Sequence, residues 1–175
     1  MKYTTQNINP ENGFIFFWGH QPTKDGSISK TCFSQWWLSS FIVEGIEYKT
    51  AEHWMMAKKA ELFGDKEALD KIISCDSPAI AKKLGREVRN FVDEVWKKNC
   101  FQFVVEGNFH KFSQNTDLKE FLLSTNNAII VEASPFDKIW GIGTRAHIED
   151  IKLWKGQNLL GFALMEVRDE LKKKE

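Results

Sequence analysis

Tyrosine is scarce in this 175-residue chain, with two Tyr against fourteen Phe and seven Trp, so most of its aromatic side chains are expected in the core. Cysteine is also sparse. Cys32, Cys75 and Cys100 are odd in number, far apart and never in a Cys-x-x-Cys spacing, which excludes a disulfide framework and a thiolate zinc site and suits a reducing compartment. His20, His53, His110 and His147 form no His-Glu-x-x-His or His-x-His arrangement, so no bound metal is expected. Net charge is missing too: 24 Lys and Arg balance 24 Asp and Glu, unlike the basic excess of a chain that grips long nucleic acid by its phosphates. No apolar run approaches the roughly 20 residues of a bilayer span, and Met1 to Pro10 has neither a basic start nor an apolar stretch. A soluble, cytoplasmic protein is expected. No repeat, low-complexity tract or Pro/Gly/Ser linker divides the chain, which reads as one domain over residues 1–175.

Helix signals dominate. Thr50 reads as the N-cap of a helix running to about Phe63, and Gly64-Asp65 opens another to about Ser74. Asp76-Ser77-Pro78 is a strong start signal, since proline loses nothing at the first helical position, and Gly85 is expected to end that helix. From Asp93 to Phe112, apolar Val95, Trp96, Cys100, Phe103 and Val104 recur at three-to-four spacing, the period of a long amphipathic helix. Asp117–Leu123 makes a short helix, and Asn158 is expected to cap the last one. Strands are few and short: Phe14–Trp18, Ala128–Ala133, and a hairpin of Phe41–Val43 with Ile46–Tyr48 around Glu44-Gly45. Residues 134–156 read as an irregular loop. The expected fold class is mainly α, an α+β arrangement with a β-hairpin and a few short strands.

Two segments carry more chemistry than packing requires. In Tyr48–Ala60, Glu52 and Lys59 are seven residues apart, about two turns, and so share a helix face with Met55 and Met56 between them. A dipole-complementing Glu52 and a solvated Lys59 beside Lys58 are the bland alternatives, and His53 fits a packing or capping role. In Ser134–Gly143, an acid and an indole sit in a Gly-flanked loop after a strand, where backbone can approach a planar base or a sugar. There Asp137 also suits an Asx-turn, and Gly141 and Gly143 suit backbone geometry alone.

Phe16-Phe17-Trp18, Phe33-Ser34-Gln35-Trp36, the Gly45 turn, Thr50-Ala51-Glu52-His53 through Lys59-Ala60, Leu84-Gly85-Arg86 and Trp96 follow one another in a specific order. They continue with Ser134-Pro135, Asp137, Trp140-Gly141, Trp154-Lys155-Gly156 and Asn158 through Gly161 with Leu164-Met165. In that order and spacing the chain resembles the NADAR, or YbiA-like, family. Gln35 stands where many relatives carry Asn. The resemblance implies a single YbiA-like domain and an N-glycosidase acting between ribose C1 and an exocyclic amine of a heterocycle, either ADP-ribosylated guanine or an early riboflavin-pathway ribosylaminopyrimidine phosphate. It implies Glu52, Lys59 and Asp137 as catalytic residues by one of two routes. In one, a carboxylate stabilises oxocarbenium character at C1 and orients water while an acid protonates the departing amine, with Glu52 and Asp137 as the candidates. In the other, which the resemblance favours, Lys59 attacks C1 to form a Schiff base, Glu52 handles protons and Asp137 binds the ribose or assists. Substrate contacts would come from Trp18, Gln35, Arg86, Trp96, Trp140, Gly141 and Asn158, the indoles stacking and Arg86 pairing with a phosphate. No metal and no cofactor is implied. The expected partners are a small molecule containing ADP-ribose or phosphoribose, or ADP-ribosylated DNA or RNA, with no membrane and no obligate protein partner. A non-catalytic ADP-ribose or nucleotide-binding module is the alternative.

Overall fold

Capping side chains and glycines account for most element boundaries. The computed structural model describes residues 1–145 and 147–174. In chain order it holds β1 (Phe14–Phe17), β2 (Phe41–Val43), β3 (Ile46–Tyr48), α1 (Ala51–Leu62), α2 (Lys66–Ser74), α3 (Pro78–Arg86), α4 (Asp93–Gln114), α5 (Thr116–Ser124), β4 (Ile129–Glu132) and α6 (Leu159–Lys172). Mainly helical with short strands, it is the expected α+β class. The chain divides into two compact units: unit 1 is Met1–Ser34 with Thr116–Glu175, and unit 2 is Gln35–Asn115.

Unit 2 is built around α1. The Thr50 hydroxyl accepts the His53 N–H at 3.3 Å and starts the helix, while Asp65 and Ser77 cap α2 and α3 through the N–H groups of Ala68 and Ala79. All residues from Ala51 to Ala57 are buried, so the first two turns of α1 are covered on every side, in a helix that packs against α2, α3 and α4. Two glycines bring the neighbours close. A Cβ on Gly107 of α4 would stand 2.3 Å from Trp54 Cδ1, and one on Gly85 of α3 would stand 2.0 Å from Met56 Sδ. Gly85 therefore does not end its helix: α3 runs on to Arg86, and the glycine serves interhelical packing. The antiparallel β2–β3 hairpin pairs Phe41 with Tyr48 and Val43 with Ile46. Glu44 and Gly45, at φ 52° and 81°, form the doubly left-handed turn that two-residue hairpins favour.

In unit 1, β1 and β4 pair in parallel, from Phe14 opposite Ile129 to Phe17 opposite Glu132. Helix α6 packs on β4 so closely that a Cβ on Gly161 would fall 2.0 Å from the Ile130 carbonyl oxygen. Buried Arg168 of α6 donates from Nη1 to Thr125 Oγ1 and to the Ala128 carbonyl, both at 2.8 Å, fixing the turn that leads into β4. Residues 134–145 and 147–158 are irregular, apart from a 3-10 turn at Ile151–Leu153, but densely bonded. Ile142 donates to Glu132 O, Lys155 to Ile142 O, Gln157 to Lys138 O, and Asn158 to Gly141 O, each at 2.9 to 3.1 Å. Backbone groups that no helix or ladder satisfies find each other here, as burial requires. Among the described residues no helix is long and apolar enough to cross a membrane.

Candidate active site

The residues singled out in the sequence fall into both units, and each group is described within its own unit. In unit 2, Glu52 lies in the first turn of α1 and is 5% exposed, with Met55 and Met56 buried one turn on and Lys59 a further turn away. Seven residues of helix separate the acid and the amine by roughly 10 Å along the axis. The Lys59 ammonium sits 4.2 Å from the ring centroid of Phe91 and 5.5 Å from that of Trp96. Burial pushes its pKa below that of an ordinary lysine, and the positive charge of Arg86 at the end of α3 pushes the same way. Its sequence neighbour shows the contrast: Lys58 pairs with Glu61 at 2.7 Å, an ordinary surface ion pair.

Phe91 is itself held in place. The Asp65 carboxylate accepts from the backbone N–H of Arg89 at 2.8 Å and from its guanidinium Nη2 at 2.7 Å, and Asn90 turns the chain through φ 58°. Phe63 meets the Phe91 ring edge-on at 5.3 Å. Those arginine contacts hold the Asp65 carboxyl well below the usual carboxylate range.

Gln35 accepts on Oε1 from Asn108 Nδ2 at 2.7 Å, and its backbone carbonyl accepts the Glu52 N–H at 2.9 Å. Asn108 is fully buried and also donates to Val104 O at 2.9 Å, which fixes its amide orientation and so directs the Gln35 NH2, the donor end, away from Asn108. That NH2 lies 3.9 Å from Met55 Sδ. The Asn108 Oδ1 is buried with no hydrogen-bond partner among the described residues. His53 has both ring nitrogens engaged, Nδ1 with the Thr50 hydroxyl at 2.8 Å and Nε2 with the Cys75 carbonyl at 3.1 Å, and burial lowers its pKa. It is a packing residue.

Unit 1 carries the other residues. Asp137 Oδ1 accepts from the N–H groups of Ile139 and Trp140, each at 2.8 Å, an Asx-turn that sets the Trp140 backbone. Gly141 is buried where a Cβ would meet the Glu132 carbonyl at 2.8 Å, so the residue is required by backbone approach. Asn158 departs from both of its expected roles. Its side chain makes no capping bond to α6, because at φ 55° it is turned toward β4, where Oδ1 accepts from Glu132 N at 3.0 Å and Nδ2 donates to Ile130 O at 2.9 Å. Fully buried, this amide completes the edge of β4 and is not presented to a ligand. Trp18, by contrast, is 41% exposed, with the Arg145 guanidinium 4.6 Å above its ring and Phe136 at 6.5 Å.

Four residues escaped the sequence reading: Phe91, Asn108, Phe136 and Arg145. Phe136 stood inside a motif segment, flanked by Pro135 and Asp137, which was the available signal. No spacing rule links Arg145 to Trp18, or Phe91 to Lys59. Unit 1 also has an open groove of about 660 Å³ lined by Thr4, Ile8, Asp150, Trp154, Gln157 and Phe162, among others, and none of the expected site residues lies in it. Among the described residues no group of three or more His, Cys, Asp or Glu could hold a metal ion.

A helical α+β fold whose buried central helix carries an acid and a lysine of lowered pKa defines a class that comparison with known proteins sharpens. The NADAR domain family matches residues 16–172, and the chain belongs to that family. N-glycosidase R617 of Acanthamoeba polyphaga mimivirus is 47% identical over 166 residues, covering 90% of this chain and 95% of the relative. N-glycosidase YbiA of Escherichia coli is 32% identical over 129 residues, covering 74% of each chain. The solution structure of the E. coli protein YbiA superposes with a TM-score of 0.75 at 28% identity, over 93% of this chain and 87% of that one. N-glycosidase is thus the activity carried by named members of the family.

Proposed function

We propose that this protein is an N-glycosidase that hydrolyses the bond between ribose C1 and an exocyclic amine of a heterocycle, with Lys59 as nucleophile. The observation that carries the reading is the Lys59 amine, half-buried against Phe91 and Trp96, with a lowered pKa, on the same helix as buried Glu52. An amine of lowered pKa keeps more of the free base that attack requires. A ribosylated exocyclic amine opens to an imine at C1. The Lys59 Nζ lone pair adds to C1, Glu52 protonates the departing nitrogen, and the C1–N bond breaks to leave the sugar joined to Nζ as a Schiff base. Water then adds to C1 as Glu52 takes its proton, and release of Nζ returns the free sugar. Gln35, its amide oriented by Asn108, donates to a substrate oxygen, and Trp96 stacks beside the lysine. Arg86, at the end of α3 in the same unit, supplies positive charge for a phosphate. The scheme needs neither metal nor cofactor.

The test is mass spectrometry of full-length protein incubated, with EDTA, against an ADP-ribosylguanine oligonucleotide and against the ribosylaminopyrimidine phosphates, with and without borohydride. Wild type should release the sugar and be trapped at Lys59 by borohydride. Lys59→Ala and Glu52→Gln should lose turnover at least 1,000-fold with little change in melting temperature. Wild-type turnover in Lys59→Ala would remove the Schiff base, and ADP-ribose binding without product from either substrate would make the chain a binding module.

A further inference from the structure

Phe91 differs from the core rings of unit 2. Phe41 and Phe112 are 1% exposed or less, whereas Phe91 keeps 42% of its surface in water, so burial of this ring contributes less than burial of theirs. Its position is nevertheless closely specified. Asp65, whose side chain is 3% exposed, spends both carboxylate oxygens on the turn that leads to Phe91. Oδ2 accepts from the Arg89 backbone N–H at 2.8 Å and from Nε at 3.2 Å, while Oδ1 accepts from Nη2 at 2.7 Å. Oδ1 also accepts the Ala68 N–H at 3.2 Å, which ties this clasp to the first turn of α2. Asn90 then turns the chain at φ 58°, and Phe63 meets the Phe91 ring edge-on. What these contacts place is a ring whose centroid lies 4.2 Å from the Lys59 Nζ.

A ring in that place acts on an ammonium in two opposing ways. Its π-face attracts the positive charge, and its bulk displaces water that would solvate the charge better than hydrocarbon can. The second effect wins at this half-buried amine, since burial is the largest cause lowering the Lys59 pKa, ahead of the Arg86 charge at the end of α3. Neighbouring charges have partners of their own. On α1, Lys58 pairs with Glu61, and Glu52 stands two turns away; on α2, Lys71 pairs with Glu67. Lys82 of α3 lies over the Trp36 ring, and Asp93 pairs with Lys97 on α4. The Asp65 carboxyl is held well below the usual carboxylate range, so the clasp stays ionised wherever an amine titrates.

We infer that Asp65 and Phe91 are positioning residues for Lys59: the carboxylate clasps the Arg89 turn, and the turn lays the Phe91 ring against the amine so that water is kept from one side of Nζ. This role rests on the proposed use of Lys59 as nucleophile and supplies its readiness from outside the reacting groups. Kept dry on that side, the amine holds its lone pair for C1 and not for solvent. Asp65 acts through the turn, because its oxygens are occupied by Arg89 and Ala68.

Protonation of Lys59 can be read directly, without turnover. Full-length wild type, Phe91→Ala, Phe91→Leu and Asp65→Asn are labelled with acetic anhydride over a series of pH values, and acetylation of Lys59 is followed by peptide mass spectrometry with exposed Lys83 as internal standard. The readout is the pH at half of each protein's own plateau, because a more accessible amine raises the plateau without moving that midpoint. Phe91→Ala should move the midpoint to higher pH and lower the free-amine fraction at neutral pH by about three-fold or more. Phe91→Leu keeps an apolar cover without a π-face and should stay near wild type. Asp65→Asn still caps α2, but its NH2 meets an Arg89 donor where an oxygen stood, so its midpoint should move the same way as that of Phe91→Ala. A Phe91→Ala midpoint equal to wild type, or a Phe91→Leu midpoint as high as that of Phe91→Ala, overturns the role of the ring. An unmoved Asp65→Asn overturns the role of the clasp. Midpoints that move as expected in a chain that hydrolyses neither proposed substrate would keep the positioning and discard the nucleophile. Turnover lost in Lys59→Ala, with midpoints unmoved in the other variants, would keep the nucleophile and discard the positioning.

Discussion

The surroundings of α1 in unit 2 and the 137–161 segment of unit 1 hold their expected site residues by different means. Around α1 the neighbours are side chains: Met56 fills the space above Gly85, Phe91 and Trp96 lie against Lys59, and Asn108 orients Gln35. In the 137–161 segment the neighbours are backbone: Gly141 approaches the Glu132 carbonyl, Asn158 completes β4, and Gly161 touches the Ile130 carbonyl. Side-chain surroundings tune chemistry and yield to substitution. Backbone surroundings fix position and do not yield.

The sharpest way to break this comparison is to add one methyl group in each region. Gly161→Ala sets a Cβ against a main-chain oxygen that cannot move without distorting β4, and it should destabilise by about 3 kcal/mol in urea titration. Gly85→Ala meets the flexible end of Met56, whose sulfur can swing aside, and should cost about 1 kcal/mol. Equal losses would end the distinction. Next come the two buried carboxamides. Asn158→Ala leaves Ile130 O and Glu132 N without the partners that Asn158 supplies, an expected loss of about 2 kcal/mol. Asn108→Ala removes one already unpaired acceptor and should cost about 1 kcal/mol in stability, while raising KM several-fold as Gln35 loses its orientation.

The smallest effect tests the tuning itself. Lys59 must be unprotonated to attack, so kcat/KM should climb as pH rises through its lowered pKa, below the ordinary lysine value of 10.5. Arg86→Gln removes one of the two causes of that lowering, so the rising limb should shift to higher pH and the rate at pH 7 should fall. A limb that stays in place would show that burial alone sets the lysine. The same shift makes the unfolded chain the better proton binder at this group. Stability from Lys59 therefore rises with pH between its folded-state pKa and 10.5.

The helix starts were legible because capping is local: Thr50, Asp65 and Ser77-Pro78 each bond within three residues. The hairpin was legible for the same reason. Gly85 was misread because a glycine late in a helix can serve a terminus or a close neighbour, and only the packing of α3 on α1 decides. Asn158 was misread because its partners, Ile130 and Glu132, lie 28 and 26 residues away in a strand that no local pattern connects to it. Glu52 and Lys59 could be paired from spacing along one helix. The Phe91 ring over Lys59 could not, since it arrives from a loop pinned by Asp65 and Arg89.

The parallel pairing of β1 with β4 also has a consequence for synthesis. Residues 14–17 find their partner only at 129–132, so every residue of unit 2 is made before that ladder can close. Unit 2 is a continuous stretch whose hairpin and helices meet over short sequence distances, whereas unit 1 must bring together ends separated by more than a hundred residues. Loop-closure entropy favours the first over the second. On the ribosome, the segment bearing Lys59 can therefore fold while β1 still waits, exposed, for a strand not yet translated.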